Sequence, residues 1–146
     1  MMNDEGRFII GIGAIIEHNK TGKILFLRRS PQSDYSPNIW DDVGGRMRQF
    51  ERAEETLQRE IVEETGITEI TIIKPLVVSH YFRGEKITEN EMIVITYWCK
   101  TAIEKVRLSK EHDSFKWFTP DRALSLINDT ALKRNITRFI EERNLG

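Results

Sequence analysis

A single helical segment lies between two pairs of β-type segments, and this order constrains the fold more than any other feature. From Arg52 to Thr65 apolar residues recur every four positions, the spacing of an amphipathic helix. The flanking segments are rich in aliphatic, β-branched and aromatic residues and are predicted strands: Phe8 to Glu17, Lys23 to Arg29, Ile70 to Phe82 and Glu91 to Thr101. Because helix and strands are intermingled along the chain, the order predicts one α/β layered domain.

Turn and cap signals mark the ends of these segments. The run from Asn19 to Gly22 predicts a hairpin turn between the first two strands. Gly66 predicts the end of the helix, since glycine adopts the left-handed conformation at little cost. Pro120 predicts the first turn of a closing region of one or two amphipathic helices. We therefore expect helical cover at the end of the chain.

Length, charge and cysteine content narrow the class of protein. The 146 residues suit one domain from Met1 to Gly146. Twenty-two Lys and Arg against twenty-three Asp and Glu leave no positive excess for nucleic acid. The apolar run from Phe8 to Ile16 is too short for a membrane helix, so we expect no membrane partner and a cytoplasmic location. The single cysteine, Cys99, excludes an internal disulfide framework and has the setting of a strand residue.

The predicted helix carries three carboxylates on one face. A rotation of about 100° per residue places Glu60 and Glu64 roughly 40° apart, with Glu63 roughly 60° to the other side. Like charges at these spacings disfavour an isolated helix by roughly 0.2–0.5 kcal/mol per pair. A hard divalent cation would reverse that sign, since carboxylates suit Mg²⁺ and Mn²⁺. The alternative is a solvated face on which Arg59 pairs with its acidic neighbours.

The same stretch resembles the Nudix box, Gly-x5-Glu-x7-Arg-Glu-U-x-Glu-Glu-x-Gly-U, where U is a bulky aliphatic residue. Every specified position is filled, by Gly45, Glu51, Arg59, Glu60, Ile61, Glu63, Glu64, Gly66 and Ile67. At ordinary residue frequencies a chance match at a given start is on the order of 10⁻⁹. The resemblance implies an α/β/α sandwich with a mixed β-sheet. It also implies a MutT-related hydrolase of a nucleoside diphosphate linked to another moiety, such as a nucleoside triphosphate, ADP-ribose, nucleotide sugar or dinucleoside polyphosphate.

The resemblance also implies a metal site. By position in the box, Glu60, Glu63 and Glu64 would bind Mg²⁺, with Mn²⁺ as a substitute, and the carbonyl of Gly44 would be a further ligand. Glu51 would assist this site, the alternative being an acid that favours a helix N-terminus. Three residues have supporting roles: Gly45 in the tight loop, Gly66 at the helix end, and Arg59, which would hold the acidic side chains in place.

A segment outside the box resembles the loop of MutT-type members that carries an additional Glu. Glu111 lies six residues before Trp117 and occupies that position. The resemblance therefore leaves Glu111 and Glu60 as competing candidates for the carboxylate that acts on the attacking water, with a plain surface charge as the alternative for Glu111. The adjacent His112 lies in a polar stretch, and we expect it to be exposed and inert.

Arginines and aromatic residues are the candidates for substrate contacts. Arg29 matches the second Arg of a substrate-binding pair in MutT-type proteins, with Arg28 as the neighbouring candidate. Because a strand alternates faces, only one of the two can point toward the site. Arg46 adds positive charge near the predicted phosphate site. Aromatic residues that could stack on a base, or instead belong to the core, are Trp40, Phe50, Tyr81, Phe82 and Trp98.

Two departures from the common family pattern alter the rim of the site. Val43 stands where many members have Pro, and Arg48 to Glu51 replaces a Glu-x-Gly-Glu ending. The substrate therefore does not follow from any familiar subfamily. A homodimer is expected from family habit. The alternative function is a non-catalytic nucleotide-sensing or interaction module that keeps the same fold.

Overall fold

The computed structural model describes residues 4–33 and 36–146, so the predicted domain start at Met1 lies outside the described residues. In chain order the elements are β1 (Ile9–His18), β2 (Ile24–Arg29), β3 (Trp40–Asp41), β4 (Val43–Arg46), α1 (Ala53–Thr65), β5 (Thr71–Phe82), a 3-10 turn (Thr88–Asn90), β6 (Glu91–Thr101), β7 (His112–Phe118), α2 (Pro120–Leu126) and α3 (Thr130–Leu145). Every helix among these residues is too short or too polar to span a bilayer. The predicted helices and the four long strands are present.

The seven strands form one mixed sheet in which β3, β2, β1, β6 and β5 are neighbours in that order. β1 and β6 are parallel along their whole length, whereas the remaining pairs are antiparallel. β4 pairs with β1, and β7 pairs with β2. Because β1 and β2 are antiparallel, the start of β1 lies beside the end of β2. The short strand β4 and the start of β7 therefore lie at the same end of the sheet.

Helices cover both faces of this sheet, as alternating side chains require. α1 packs over one buried cluster, whose members are Ile12, Ala14, Ile16, Leu25, Leu27, Val43, Leu57, Ile61, Ile67, Tyr97 and Cys99. α2 and α3 pack over the other, formed by Ile15, Ile24, Phe26, Trp98, Phe118, Ala123, Ile127, Leu132, Ile136 and Phe139. The predicted α/β/α sandwich with a mixed sheet is confirmed.

The predicted turn and cap glycines lie at the ends of these elements. Gly22 adopts a φ of 69° and its N–H donates to the carbonyl of His18, which closes the predicted β1–β2 hairpin. Gly66 adopts a φ of 73° and its N–H donates to the carbonyl of Val62 at the end of α1. Cys99 is buried in β6, where burial raises the pKa of its thiol to about 12. It is a core residue.

Candidate active site

A cavity of about 830 Å³ opens where β1, β4, α1 and the start of β7 meet. Charged side chains of both signs line it. The acidic ones are Asp41, Asp42, Glu60, Glu64 and Glu111, and the basic ones are Arg29, Arg46, Arg48, Arg59, Arg83 and Lys110. Such a cavity can hold cations against its carboxylates and phosphate against its guanidinium groups at the same time.

Two glycines of β4 allow α1 to approach the strand closely. A side chain at Gly44 would overlap the carbonyl of Ile12 in β1, and one at Gly45 would overlap the carboxylate of Glu60. The N–H of Gly44 donates to Oε1 of Glu64 at 2.9 Å. The double glycine therefore positions two carboxylates of α1 directly against the backbone of β4.

Burial governs the electrostatics of these two carboxylates. Glu64 is 5% exposed, and its burial raises its pKa to about 8 despite the hydrogen bond from Gly44. Burial also raises the pKa of Glu60, while Arg59 opposes that rise. At neutral pH and without a cation, Glu64 is therefore mostly protonated, and a bound cation would favour its ionised form.

Arg59 holds the acidic side chains around it. Its guanidinium donates to Glu51 at 2.7 and 2.9 Å, to Glu60 at 2.7 Å and to the carbonyl of Arg46 at 3.1 Å. The hydrogen bond from Arg59, followed by one from the backbone of Arg48, lowers the pKa of Glu51 to about 2. Glu51 thus stays ionised and fixes the position of Arg59.

Glu63 and Glu51 occupy different places from the other box carboxylates. Glu63 is half-exposed, lies 3.5 Å from Arg59 and is not part of the cavity lining. Glu51 borders a second cavity of about 500 Å³ beside Phe8 and Phe50. Of the three predicted ligands of α1, the fold brings Glu60 and Glu64, but not Glu63, into the lining of the main cavity. A metal-binding role stays a prediction for all three.

The start of β7 contributes a carboxylate and an imidazole. Glu111 is exposed and lines the cavity, as does His112. The expectation that His112 is exposed is wrong: its side chain is 2% exposed because β7 packs His112 against Arg29 of β2. Burial, reinforced by the charge of Arg29, lowers the pKa of His112, so the imidazole is neutral at neutral pH.

Two aspartates of the site were not predicted from the sequence. Asp41 and Asp42 lie at the junction of β3 and β4 and line the cavity. Burial, with the neighbouring Asp41, holds the pKa of Asp42 well above its usual range. The signal that could have found them is their adjacency to the double glycine, which positions backbone against the box carboxylates.

Some of the predicted substrate-binding residues line the cavity, and others lie outside it. Arg29, Arg46 and Tyr81 line the cavity, whereas Arg28 and Phe82 do not. Arg28 pairs instead with Asp113 at 3.0 Å on the surface. Among the aromatic candidates, Trp98 and Trp40 pack against core phenylalanines, and Phe50 is 97% exposed.

Comparison with known proteins assigns the chain to a family. The model of the NUDIX domain family matches residues 7–140. The CTP pyrophosphohydrolase of Escherichia coli K12 is 32% identical over 113 residues, which cover 77% of this chain and 77% of that protein. The nucleoside triphosphatase NudI of Escherichia coli O17:K52:H18 is 32% identical over 107 residues, covering 68% of this chain and 75% of that one.

Solved structures agree with this assignment. The MutT protein from Methanosarcina mazei Go1 superimposes with a TM-score of 0.79 at 29% identity, over 97% of this chain and 99% of that chain. The chain therefore belongs to the Nudix family. It is a MutT-like pyrophosphohydrolase, an enzyme of the class that acts on nucleoside diphosphate derivatives.

The chemistry of the cavity fits a divalent metal. Glu64, Glu111 and His112 each offer one ligand atom, and these atoms lie within 4.8 Å of one another. Nδ1 of His112 is buried and has no hydrogen-bond partner among the described residues. A cation would satisfy this nitrogen and the buried carboxylate together.

Proposed function

We propose that this protein hydrolyses nucleoside triphosphates to nucleoside monophosphates and pyrophosphate, with a divalent cation as cofactor. The observation that carries the proposal is the joint lining of one cavity by carboxylates, among them the buried Glu64, and by arginines. A nucleoside triphosphate with its cation presents both kinds of charge, and the two relatives above are named for nucleoside triphosphate substrates. Mg²⁺ and Mn²⁺ both suit the carboxylates.

The metal would be held by Glu64 and Glu111, with the carbonyl of Gly44 nearby and Glu63 as the further ligand that the box implies. When bound, the cation would neutralise phosphate oxygens and stabilise the leaving pyrophosphate. Gly44 orients Glu64 through its N–H, so the carboxylate is already aimed at the cavity. Arg29 and Arg46 would bind phosphate oxygens from the cavity wall.

Glu60 is our candidate for the general base. It lines the cavity, and burial raises its pKa, which makes its carboxylate a stronger base. The hydrogen bond from Arg59 to its Oε1 fixes its orientation. Water would attack the α-phosphorus, its proton would pass to Glu60, and the anhydride P–O bond between the α- and β-phosphates would break with pyrophosphate departing. Glu111, the competing candidate, would then serve the metal.

The test is product analysis on a broad panel. The purified chain is incubated with Mg²⁺ or Mn²⁺ and nucleoside triphosphates, ADP-ribose, nucleotide sugars or dinucleoside polyphosphates, and products are separated chromatographically. We expect monophosphate and pyrophosphate from triphosphates, and a loss of at least about 100-fold in Glu64→Gln. The matched control is Glu54→Gln, an exposed acid of the same helix outside the cavity.

Three outcomes would count against the proposal. Release of single phosphate from triphosphates would contradict the cleavage site. Preference for ADP-ribose or a nucleotide sugar would replace the substrate class. Nucleotide binding without turnover of any compound would favour the non-catalytic nucleotide-sensing module.

A further inference from the structure

His112 has a buried nitrogen that the described fold does not satisfy. Its side chain is 2% exposed, and Nδ1 has no hydrogen-bond partner within residues 4–33 and 36–146. Leaving such a group unpaired costs about 1–3 kcal/mol, so buried polar atoms normally have partners. A ligand that this nitrogen can bind would remove the cost.

The surroundings of this nitrogen identify the kind of ligand. Nδ1 lies 3.9 Å from Oε2 of Glu64, too far for a hydrogen bond, and both residues line the main cavity. Two ligand atoms of one metal ion, each about 2.1 Å from it, are separated by roughly 3–4 Å according to their angle. The separation between His112 and Glu64 therefore fits two ligands of a shared cation.

The position of His112 is fixed by the sheet. It is the first residue of β7 and pairs with Arg29 at the end of β2, which places its backbone beside the cavity. Glu111 precedes it and adds a carboxylate, so that one ligand atom from each of Glu64, Glu111 and His112 lies within 4.8 Å of the others. A nitrogen and two carboxylates form a mixed ligand set.

We propose that Glu64, Glu111 and His112 bind one divalent transition cation of the Mn²⁺ type, in preference to Mg²⁺. The reason is the imidazole, which suits first-row transition metals, whereas Mg²⁺ selects oxygen ligands and retains its waters. The inference rests on the proposed function in that this cation is the cofactor of hydrolysis. It adds a ligand from outside the Nudix box and a metal preference.

The experiment uses the full chain with Mn²⁺ alone and requires no turnover. Electron spin echo spectroscopy of bound Mn²⁺ detects a directly coordinated imidazole nitrogen as a modulation of the echo. We expect this modulation in the wild-type protein and its loss in His112→Gln. His80→Gln is the matched control, because His80 is exposed, pairs with Glu91 and lies outside the cavity lining; it should keep the signal.

Titration calorimetry gives a second readout. His112→Gln should weaken Mn²⁺ binding about 10-fold or more while changing Mg²⁺ binding by less than about 3-fold. Wild-type protein that binds Mn²⁺ without nitrogen modulation would overturn the inference and assign Nδ1 to a water molecule. This result is measured on the wild-type protein, so it does not depend on whether His112→Gln folds.

The two proposals fail in different ways. Nitrogen modulation without hydrolysis of any triphosphate would contradict the proposed function and leave the metal site standing. Hydrolysis with Mn²⁺ but without nitrogen modulation would contradict the metal site and leave the function standing.

Discussion

Arg59 binds the carboxylate of Glu51 through two parallel hydrogen bonds, Nε to Oε2 at 2.7 Å and Nη2 to Oε1 at 2.9 Å. The two residues are eight positions apart, one in the loop before α1 and one on the helix. The same guanidinium reaches Glu60 in the cavity. The pair therefore couples the loop to the orientation of the proposed base.

Replacing Arg59 by lysine tests this coupling. An ammonium keeps the charge but cannot donate the parallel bonds of a guanidinium, so Glu60 loses its fixed orientation. We expect kcat/KM for the best triphosphate to fall about 10- to 100-fold with an unchanged circular dichroism spectrum. Arg138→Lys is the control, since Arg138 pairs with Glu142 on the surface of α3. Full activity in Arg59→Lys would show that the hydrogen bonds from Arg59 to Glu51 and Glu60 are not needed for catalysis.

The raised pKa of Glu64 predicts the pH dependence of the metal-free protein. Unfolded Glu64 ionises near its ordinary pKa of 4.5, whereas the folded protein holds the proton until about 8. The unfolded state therefore releases this proton first, and the contribution of Glu64 to the free energy of unfolding declines between pH 4.5 and 8. The amide of Glu64→Gln cannot ionise and removes this decline.

Urea unfolding in a chelator at several pH values measures the effect. We expect Glu64→Gln to gain free energy of unfolding relative to wild type as the pH rises from 5 to 8, since its ordinary and raised pKa values bracket that range. Gln58→Ala, which changes no titratable group at an exposed position of the same helix, should run parallel to wild type. Parallel curves for Glu64→Gln would mean that the carboxyl is not desolvated.

The adjacent arginines of β2 form a matched pair for substrate binding. Arg29 lines the cavity, whereas Arg28 pairs with Asp113 outside it. A charge-assisted hydrogen bond to phosphate contributes roughly 1.5–3 kcal/mol, which corresponds to about 10- to 100-fold in KM. We expect Arg29→Ala to raise KM by that factor and Arg28→Ala to change it less than about 3-fold in steady-state kinetics. Equal effects of the two substitutions on KM would refute the assignment of Arg29 to phosphate binding.

The backbone conformation of Phe50 predicts that a glycine variant is more stable than an alanine variant at this position. It adopts a φ of 69°, in the left-handed region, and its side chain is 97% exposed. Glycine accepts this backbone without strain, so Phe50→Gly should be more stable than Phe50→Ala by about 1 kcal/mol. At the exposed helical position Gln58 the order should be reversed. Thermal unfolding of the four variants decides, and an advantage of alanine at position 50 would contradict the prediction.

Local patterns made the helix and its carboxylates predictable. The four-residue spacing of α1 and the glycine after it are short-range signals, so both ends of the helix and the shared face of Glu60 and Glu64 followed from the sequence. The separation of Glu63 from the cavity lining did not follow, because it depends on how α1 is rotated against β4. Alternation along β2 predicted that only one of Arg28 and Arg29 points toward the site, and of the two only Arg29 lines the cavity.

Long-range strand pairing and very short strands explain the features of the site that the sequence did not predict. The burial of His112 arises from the register of β7 against β2, which joins segments more than eighty residues apart. Asp41 ends the two-residue strand β3, and Asp42 lies between β3 and the four-residue strand β4, so neither belongs to a segment long enough for a periodic signal. The pairing of β7 with β2 joins distant parts of the chain, and such pairings are weakly encoded in local composition.

The role of Glu64 in holding the cation is tested by measuring the rate of nucleoside monophosphate formation against metal concentration, for wild type and Glu64→Gln with the best triphosphate. We expect no turnover of the wild type in a chelator, saturable restoration by Mn²⁺ or Mg²⁺, and at least about 100-fold lower turnover in Glu64→Gln at every metal concentration. Unchanged turnover in the chelator, or in Glu64→Gln, would contradict the claim that the buried carboxylate of this cavity holds the catalytic cation.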